Sequence, residues 1–156
     1  MFKNLNTKAL DDLNWKILQE LSDNARISTT EIGRRIGLSA PAVAERIQKL
    51  EEQGFIKGYL AIVDFDKIGL TIQAFITFRT STLKHDDMVK MAESLPPIVE
   101  WHSVTGNSSM IFKIAASSSK ELEAVIEHLH DFGETNTSLI LSGNTDLKIL
   151  KKLAPK

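Results

Sequence analysis

The sequence has 156 residues, 42% of them hydrophobic and 25% charged, and a formal net charge of −1 at pH 7, which is typical of a globular protein with one ordinary domain or two small ones. Because the sequence contains no cysteine, disulfides, thiolate metal sites and a cysteine nucleophile are excluded. No apolar run is long enough to cross a membrane and no signal-peptide pattern opens the sequence, so we expect a cytoplasmic protein.

Apolar residues recur at helical spacing in the first part of the chain and predict three helices around one small core. The three stripes are Leu10, Leu13, Ile17, Leu18 and Leu21, then Ile32 and Ile36, then Val43, Ile47 and Leu50.

Helix-end signals separate the second and third of these helices. Ser28 and Glu31 have the spacing of a capping box, in which the serine accepts a bond and the glutamate returns one. Gly37 can take the left-handed conformation that ends a helix, Ser39 can cap the next helix, and Pro41 fits its first turn. A helix, a short glycine-bearing turn and a second helix form the helix-turn-helix motif.

The exposed side of the third helix is small at its start and basic further along. Ala42, Arg46, Lys49 and Gln53 share one side at the helical period. Residues 26–49 contain five arginine or lysine residues and two glutamates, a local charge of +3 in a chain of net charge −1. A merely solvated charged helix is the alternative. Caps, turn, core stripe and charge agree, however, and together they predict DNA binding.

Strand-like and helical patterns alternate in the rest of the chain. The predicted elements are a strand at 71–80, a helix around Met88 to Leu95, strands at 98–105 and 110–115 about a Gly106-Asn107 turn, a helix capped by Ser118, and a strand at 138–142. The order β-α-β-β-α-β is the ferredoxin-like arrangement.

In the first of these strands, the alternation of residues predicts an aromatic side chain on the open face of the sheet. Its alternation directs Ala74, Ile76 and Phe78 towards the helices, and Phe75 with Arg79 away from them. An exposed aromatic on an open sheet suggests a covering partner, most simply another subunit, and a tolerated surface aromatic is the alternative.

Four segments together resemble the leucine-responsive/asparagine-responsive (Lrp/AsnC) family of prokaryotic transcriptional regulators. They are LDDLNWKIL (10–18), GLSAPAVAERIQKLEEQGFIKGY (37–59), DFDKIGL (64–70) and VTGNSSMIFKI (104–114). The resemblance implies an α+β protein with a winged or extended helix-turn-helix domain in residues 1–56. A strand and hinge linker follows in residues 57–70, and a ferredoxin-like effector-binding and oligomerisation domain in residues 71–156. It also implies dimers formed through facing sheets, which assemble further, often to octamers.

The resemblance implies an amino-acid effector site as well. The matching loop of the family lies at a junction between dimers and helps to bind small amino acids; here it comprises Thr105, Gly106, Asn107, Ser108 and Ser109. Ser109 stands where many members have aspartate, which favours a neutral polar amino acid or a loss of sensing, and a plain hairpin turn is the alternative. Two further departures are Asn14 for the family's aspartate and Gly33 for its alanine. We expect no other cofactor and no metal.

Roles in DNA binding follow from the motif. We expect Arg46 and Lys49, beside Ala42 and the first-turn residue Pro41, to contact the groove, and Ser39 to contact a phosphate. We expect Arg34 and Arg35 to hold the DNA backbone and set the register rather than to read the sequence.

An enzyme and a ligand-independent DNA-binding protein are the alternatives to an effector-responsive regulator. An enzyme is disfavoured, because His128 and His130 are two residues apart on a predicted helix and cannot share a metal, and no catalytic motif is present. A ligand-independent architectural DNA-binding protein remains open and would show little preference between sites.

Overall fold

A computed structural model describes residues 10–143 of the chain. These residues divide into two compact units, one reaching Ile62 and the other beginning at Val63. The tail from Asp146 to Lys156, whose role the sequence leaves open, lies outside the described residues.

Three helices form the first unit, and their bounds are α1 (Asp12–Asp23), α2 (Thr29–Ile36) and α3 (Ala40–Glu52). Its buried core consists of one or two side chains from each helix, namely Ile17, Ile32, Val43 and Leu50. Burying each such side chain stabilises the folded unit by about 1.5–3 kcal/mol. The three predicted helical stripes and their shared core are therefore confirmed.

Helix ends lie where the capping residues predict them, with one difference. The hydroxyl oxygens of Ser28 and Ser39 each accept a bond from the N–H three residues later. Glu31, however, does not return a bond to Ser28. Its carboxylate accepts from Arg34 and Arg35, because two guanidinium groups offer stronger charge-assisted bonds than one backbone N–H.

The turn between α2 and α3 depends on two glycines. Gly37 has a φ of 79°, the left-handed conformation predicted for the end of α2. Its N–H and that of Leu38 donate to the Gly33 carbonyl at 2.8 and 2.9 Å. A Cβ at Gly33 would lie 2.3 Å from the Leu38 carbonyl oxygen, so the close approach of this turn requires glycine at position 33.

The second unit has a four-stranded antiparallel sheet with two helices on one face. The elements are β1 (Ile72–Arg79), α4 (His85–Ser94), β2 (Ile98–Ser103), β3 (Met110–Ala116), α5 (Ser119–His130) and β4 (Glu134–Leu139). The sheet order is β2-β3-β1-β4, which confirms the ferredoxin-like arrangement. Ala74, Ile76 and Phe78 are buried with residues of both helices, whereas Phe75 is 45% exposed on the other face, as the alternation predicts.

The last strand lies earlier than the sequence predicts. The observed strand is β4 rather than residues 138–142. Its sequence, ETNTSL, is mostly polar, and its position is set by backbone pairing with β1, where Thr137 lies opposite Ile76. The prediction followed the apolar residues after Ser138, but Leu141 is 93% exposed. An edge strand held by backbone bonds carries little of the apolar pattern on which the prediction depended.

Residues 57–70 contain one short regular element, the 3-10 turn Asp66–Ile68. No described strand of this chain pairs with residues 57–63, which belong to the segment 57–70 where the resemblance implies a strand and hinge linker. Leu60 and Ile62 in this segment are 91% and 76% exposed.

Candidate functional site

The seven residues predicted to bind DNA lie on α2, on α3 and at the turn between them. Arg34 and Arg35 are in the last turn of α2, and Ser39 caps α3. Pro41 and Ala42 are in the first turn of α3, and Arg46 and Lys49 follow one and two turns later.

An open depression of about 440 Å³ lies along α3. Ala42, Arg46, Lys49 and Gln53 all line it, so the four residues that share a side by helical spacing form one continuous surface. We call these four residues the α3 face. The other predicted residues, on α2 and at the start of α3, do not line the depression.

Arg46 is held by the first turn of α1. Its Nη1 donates to Asp11 Oδ2 at 2.7 Å and to Asn14 Oδ1 at 2.8 Å. The side chain remains 30% exposed, so it is tethered but not sealed inside the unit.

Asp11 serves two elements at once. Its Oδ1 accepts from the Asn14 N–H at 2.7 Å and caps α1, while its Oδ2 accepts from Arg46. The pKa of Asp11 is lowered, first by the bond from the Asn14 backbone and then by the Arg46 guanidinium, so the carboxylate is charged at neutral pH. The Asp11 side chain thereby joins the N-terminus of α1 to the middle of α3.

Lys49 pairs with Glu45 one turn earlier on α3. Its Nζ lies 2.6 Å from Glu45 Oε1, and the two side chains are 59% and 67% exposed. The pKa of Glu45 is lowered chiefly by this hydrogen bond. Exposed pairs of this kind contribute little to stability, so Lys49 can leave Glu45 for another anion at small cost.

Arg34 and Arg35 belong to an exposed ion-pair network. Arg34 donates to both oxygens of Glu31, at 2.9 and 2.7 Å, and Arg35 donates to Glu31 and to Glu20 of α1. The two guanidinium groups, Arg34 first, lower the pKa of Glu31 to about 2. Both predicted backbone-binding cations are thus already paired with carboxylates.

Sequence reasoning missed the contribution of α1 to this surface. The local charge of +3 counted over residues 26–49 omits Asp11 and Glu20, which the fold brings to Arg46 and Arg35 and which reduce the sum to +1. The pairing of Glu31 with Arg34 and Arg35 could have been found from helical spacing, because residues three and four apart are neighbours. Pairs between different helices leave no such local signal.

The predicted effector residues form the connection between β2 and β3. Thr105, Gly106 and Asn107 are exposed, and Ser108 and Ser109 are half-buried. The loop is closed by a bond from the Val104 N–H to the Ser109 carbonyl.

Ser109 ties this loop to the end of β1. Its hydroxyl accepts from the Thr80 N–H at 3.3 Å and lies 3.4 Å from the Thr80 carbonyl oxygen, to which it donates. Thr80 also lines a cavity of about 360 Å³, together with Arg79, Ser81, Thr82, Phe132, Gly133 and Glu134. None of the five loop residues lines that cavity, and the bonds of Ser109 to Thr80 connect the loop to it.

Within residues 10–143, no group of three or more histidine, aspartate or glutamate side chains is arranged to hold a metal ion. No helix in that range is long and apolar enough to span a bilayer.

Comparisons with known proteins match both units. Residues 10–51 match the AsnC-type helix-turn-helix domain, and residues 73–146 match the Lrp/AsnC ligand binding domain. The transcriptional regulator LrpB of Bacillus subtilis is 36% identical over 133 residues, which are 85% of this chain and 88% of LrpB.

Solved structures of similar proteins match the fold of this chain. LrpC of Bacillus subtilis has a TM-score of 0.81 at 31% identity and covers 86% of this chain and 96% of its own. The feast or famine regulatory protein of Mycobacterium tuberculosis, solved in complex with L-methionine, has a TM-score of 0.80 at 27% identity, with coverages of 86% and 94%.

Proposed function

The chain belongs to the Lrp/AsnC family of DNA-binding transcriptional regulators, and from this premise we propose that it recognises specific DNA sites through the α3 face and responds to a small amino acid. Its relatives are transcriptional regulators rather than catalysts, so the expectation that the protein is not an enzyme is confirmed.

The observation that carries the DNA proposal is the continuity of the α3 face. One small residue, Ala42, lies near the start of the helix and two cations follow on the same side of an open depression. A helix with a small leading residue can approach base edges closely, and arginine or lysine behind it can contact guanine or phosphate. Arg34 and Arg35, at the end of the preceding helix, can then bind the DNA backbone and set the register.

Two alanine variants separate these roles. Arg34→Ala should weaken binding to all duplexes alike and reduce the salt dependence, because one phosphate contact is lost. Arg46→Ala should reduce discrimination at one base position by about 1–3 kcal/mol. Gel-shift titrations at several salt concentrations measure both effects. The matched control is Lys120→Ala, which removes one exposed cation from the other unit. Unchanged profiles for both variants would count against the α3 face.

The alternative, an architectural protein that coats DNA without a ligand response, makes a different prediction. It would bind duplexes with little site preference and would show no effector shift. Selection of bound DNA from random sequence, with and without an amino-acid mixture, distinguishes the two functions.

We also propose that the protein acts as a cytoplasmic homodimer formed through its open sheet face, with dimers assembling further, to an octamer as in the family. Exposed Phe75 on that face, beside Lys113 and Ser138 in register, supports the proposal. A two-fold dimer would present two α3 faces to half-sites about one DNA turn apart, or a multiple of it.

For the effector, we propose a small amino acid bound at the loop of Thr105 to Ser109. The match of residues 73–146 to a ligand binding domain supports this, as does the complex of the mycobacterial relative with L-methionine. Since the Ser109 hydroxyl already bonds to Thr80, the side chains of Thr105, Asn107 and Ser108 are those left in the loop to contact a ligand. Isothermal titration against the twenty amino acids tests the proposal; no heat from any of them, with DNA binding intact, would contradict it.

A further inference from the structure

We propose that Asp11, the N-cap of α1, and Asn14, in its first turn, position Arg46 for DNA recognition from outside the helix-turn-helix, and that the neutral side chain of Asn14 does so without adding negative charge beside the α3 face. The inference rests on the proposed function of that face.

The geometry leaves one edge of Arg46 available. A guanidinium has five N–H donors, and the two on Nη1 are used by Asp11 and Asn14. Nε and Nη2 make no hydrogen bond to any described residue. These two nitrogens form the planar fork that binds two acceptors at once, as in a phosphate or the major-groove edge of guanine. Asp11 and Asn14 therefore fix the Arg46 side chain and leave the edge formed by Nε and Nη2 unoccupied.

The two holding residues are not equivalent. Asp11 is itself fixed, because its other oxygen caps α1, so it provides a rigid charged anchor. The amide of Asn14 provides an acceptor with nearly the shape of a carboxylate but without its charge. Asn14 also lines the depression along α3 next to Arg46. A carboxylate at position 14 would place a second anion where the DNA phosphates must approach.

Three variants of the full chain separate orientation from charge. Asn14→Leu removes the acceptor without changing the charge, Asn14→Asp keeps the acceptor and adds a negative charge, and Asp11→Asn keeps both the helix cap and an acceptor but removes a negative charge. Each is titrated by fluorescence anisotropy at several salt concentrations against two duplexes. One duplex is enriched from random sequence by the unmodified protein, and the other is its scrambled version. Thermal unfolding of each variant is measured in parallel.

We expect Asn14→Leu to lower the ratio of the two affinities about tenfold while leaving the scrambled duplex unaffected, since a bidentate contact loses its orientation. Asn14→Asp should weaken binding to both duplexes alike and raise the Tm, whereas Asp11→Asn should tighten both. A purely structural role would move the Tm and the affinity in the same direction. The control is Asn24→Asp, about 15 Å along α1 from Asn14, which should weaken binding less because salt screens charges beyond about 10 Å.

Two results would overturn the inference: an unchanged affinity ratio for Asn14→Leu, or affinity and Tm falling together for Asn14→Asp. If the unmodified protein selects no preferred duplex, or if Arg46→Ala also leaves its preference unchanged, the proposed function of the α3 face fails as well. The two failures are therefore distinguishable.

Discussion

Replacing Gly33 by alanine has two opposite effects on stability, a gain in helix propensity and a steric clash with the following turn. Alanine is favoured over glycine inside a helix by about 1 kcal/mol, so propensity alone predicts a more stable α2. The added Cβ would lie 2.3 Å from the Leu38 carbonyl oxygen and 3.3 Å from its carbon, so the turn would have to retreat by about 1 Å. The bonds from Gly37 and Leu38 to the Gly33 carbonyl hold it in place. Since overpacking costs about 1–3 kcal/mol and the helix propensity of alanine offsets about 1 kcal/mol of that cost, we expect a net destabilisation of up to about 2 kcal/mol.

Urea unfolding followed by Trp15 fluorescence measures this effect in the first unit, with Trp101→Phe as the common background because Trp101 lies in the second unit. Ala44→Gly on the exposed side of α3 is the control, and it should cost about 1 kcal/mol from propensity alone. Because the turn sets the angle of α3, Gly33→Ala should also weaken DNA binding under conditions where the protein is fully folded. A more stable Gly33→Ala variant with unchanged DNA affinity would refute the argument that the turn cannot move.

Glu31→Gln should tighten binding to every duplex and steepen its salt dependence, because Arg34 and Arg35 lose a competing anion; an unchanged salt titration would contradict this. The pKa of Glu31 falls from 4.5 to about 2 on folding, so its stabilising contribution is complete above about pH 4.5 and is lost as the pH falls towards 2. Acid unfolding of Glu31→Gln should lack that component. Phe75→Lys should shift sedimentation equilibrium towards smaller species, and an unchanged mass would exclude the open sheet face as the dimer contact.

Local signals in the sequence were sufficient for the elements whose ends are chemically marked. Ser28, Gly37 and Ser39 fix the ends of α2 and the start of α3 because each acts on backbone groups within three or four residues. The alternation in β1 is equally direct, since one side is buried under the helices and the other is open. These features predicted the helix-turn-helix, the sheet and the side of α3 that lines the depression.

Features that depend on distant backbone or side chains were not predictable in the same way. β4 is mostly polar and is positioned by its pairing with β1, so the apolar pattern placed it several residues too late. Gly33 could be identified as unusual, but its reason is a carbonyl oxygen on the following turn. The anchoring of Arg46 joins residues 35 positions apart, and no helical or strand period connects them.

The cations of the predicted DNA surface differ in how freely they can change partners, and this difference divides their roles. Arg34 and Lys49 form exposed pairs with carboxylates of their own helix, and such pairs are weak, so DNA phosphates can replace the carboxylates with release of counterions. Arg35 is intermediate, because it also bonds to Glu20 of α1. Arg46 is less exposed and is bonded to two residues of α1, so it keeps its orientation while the others exchange. General affinity, which depends on salt, should therefore come from the exchangeable cations. Discrimination between sequences requires a donor of fixed direction, and among these four residues only Arg46 is held by two bonds from another helix.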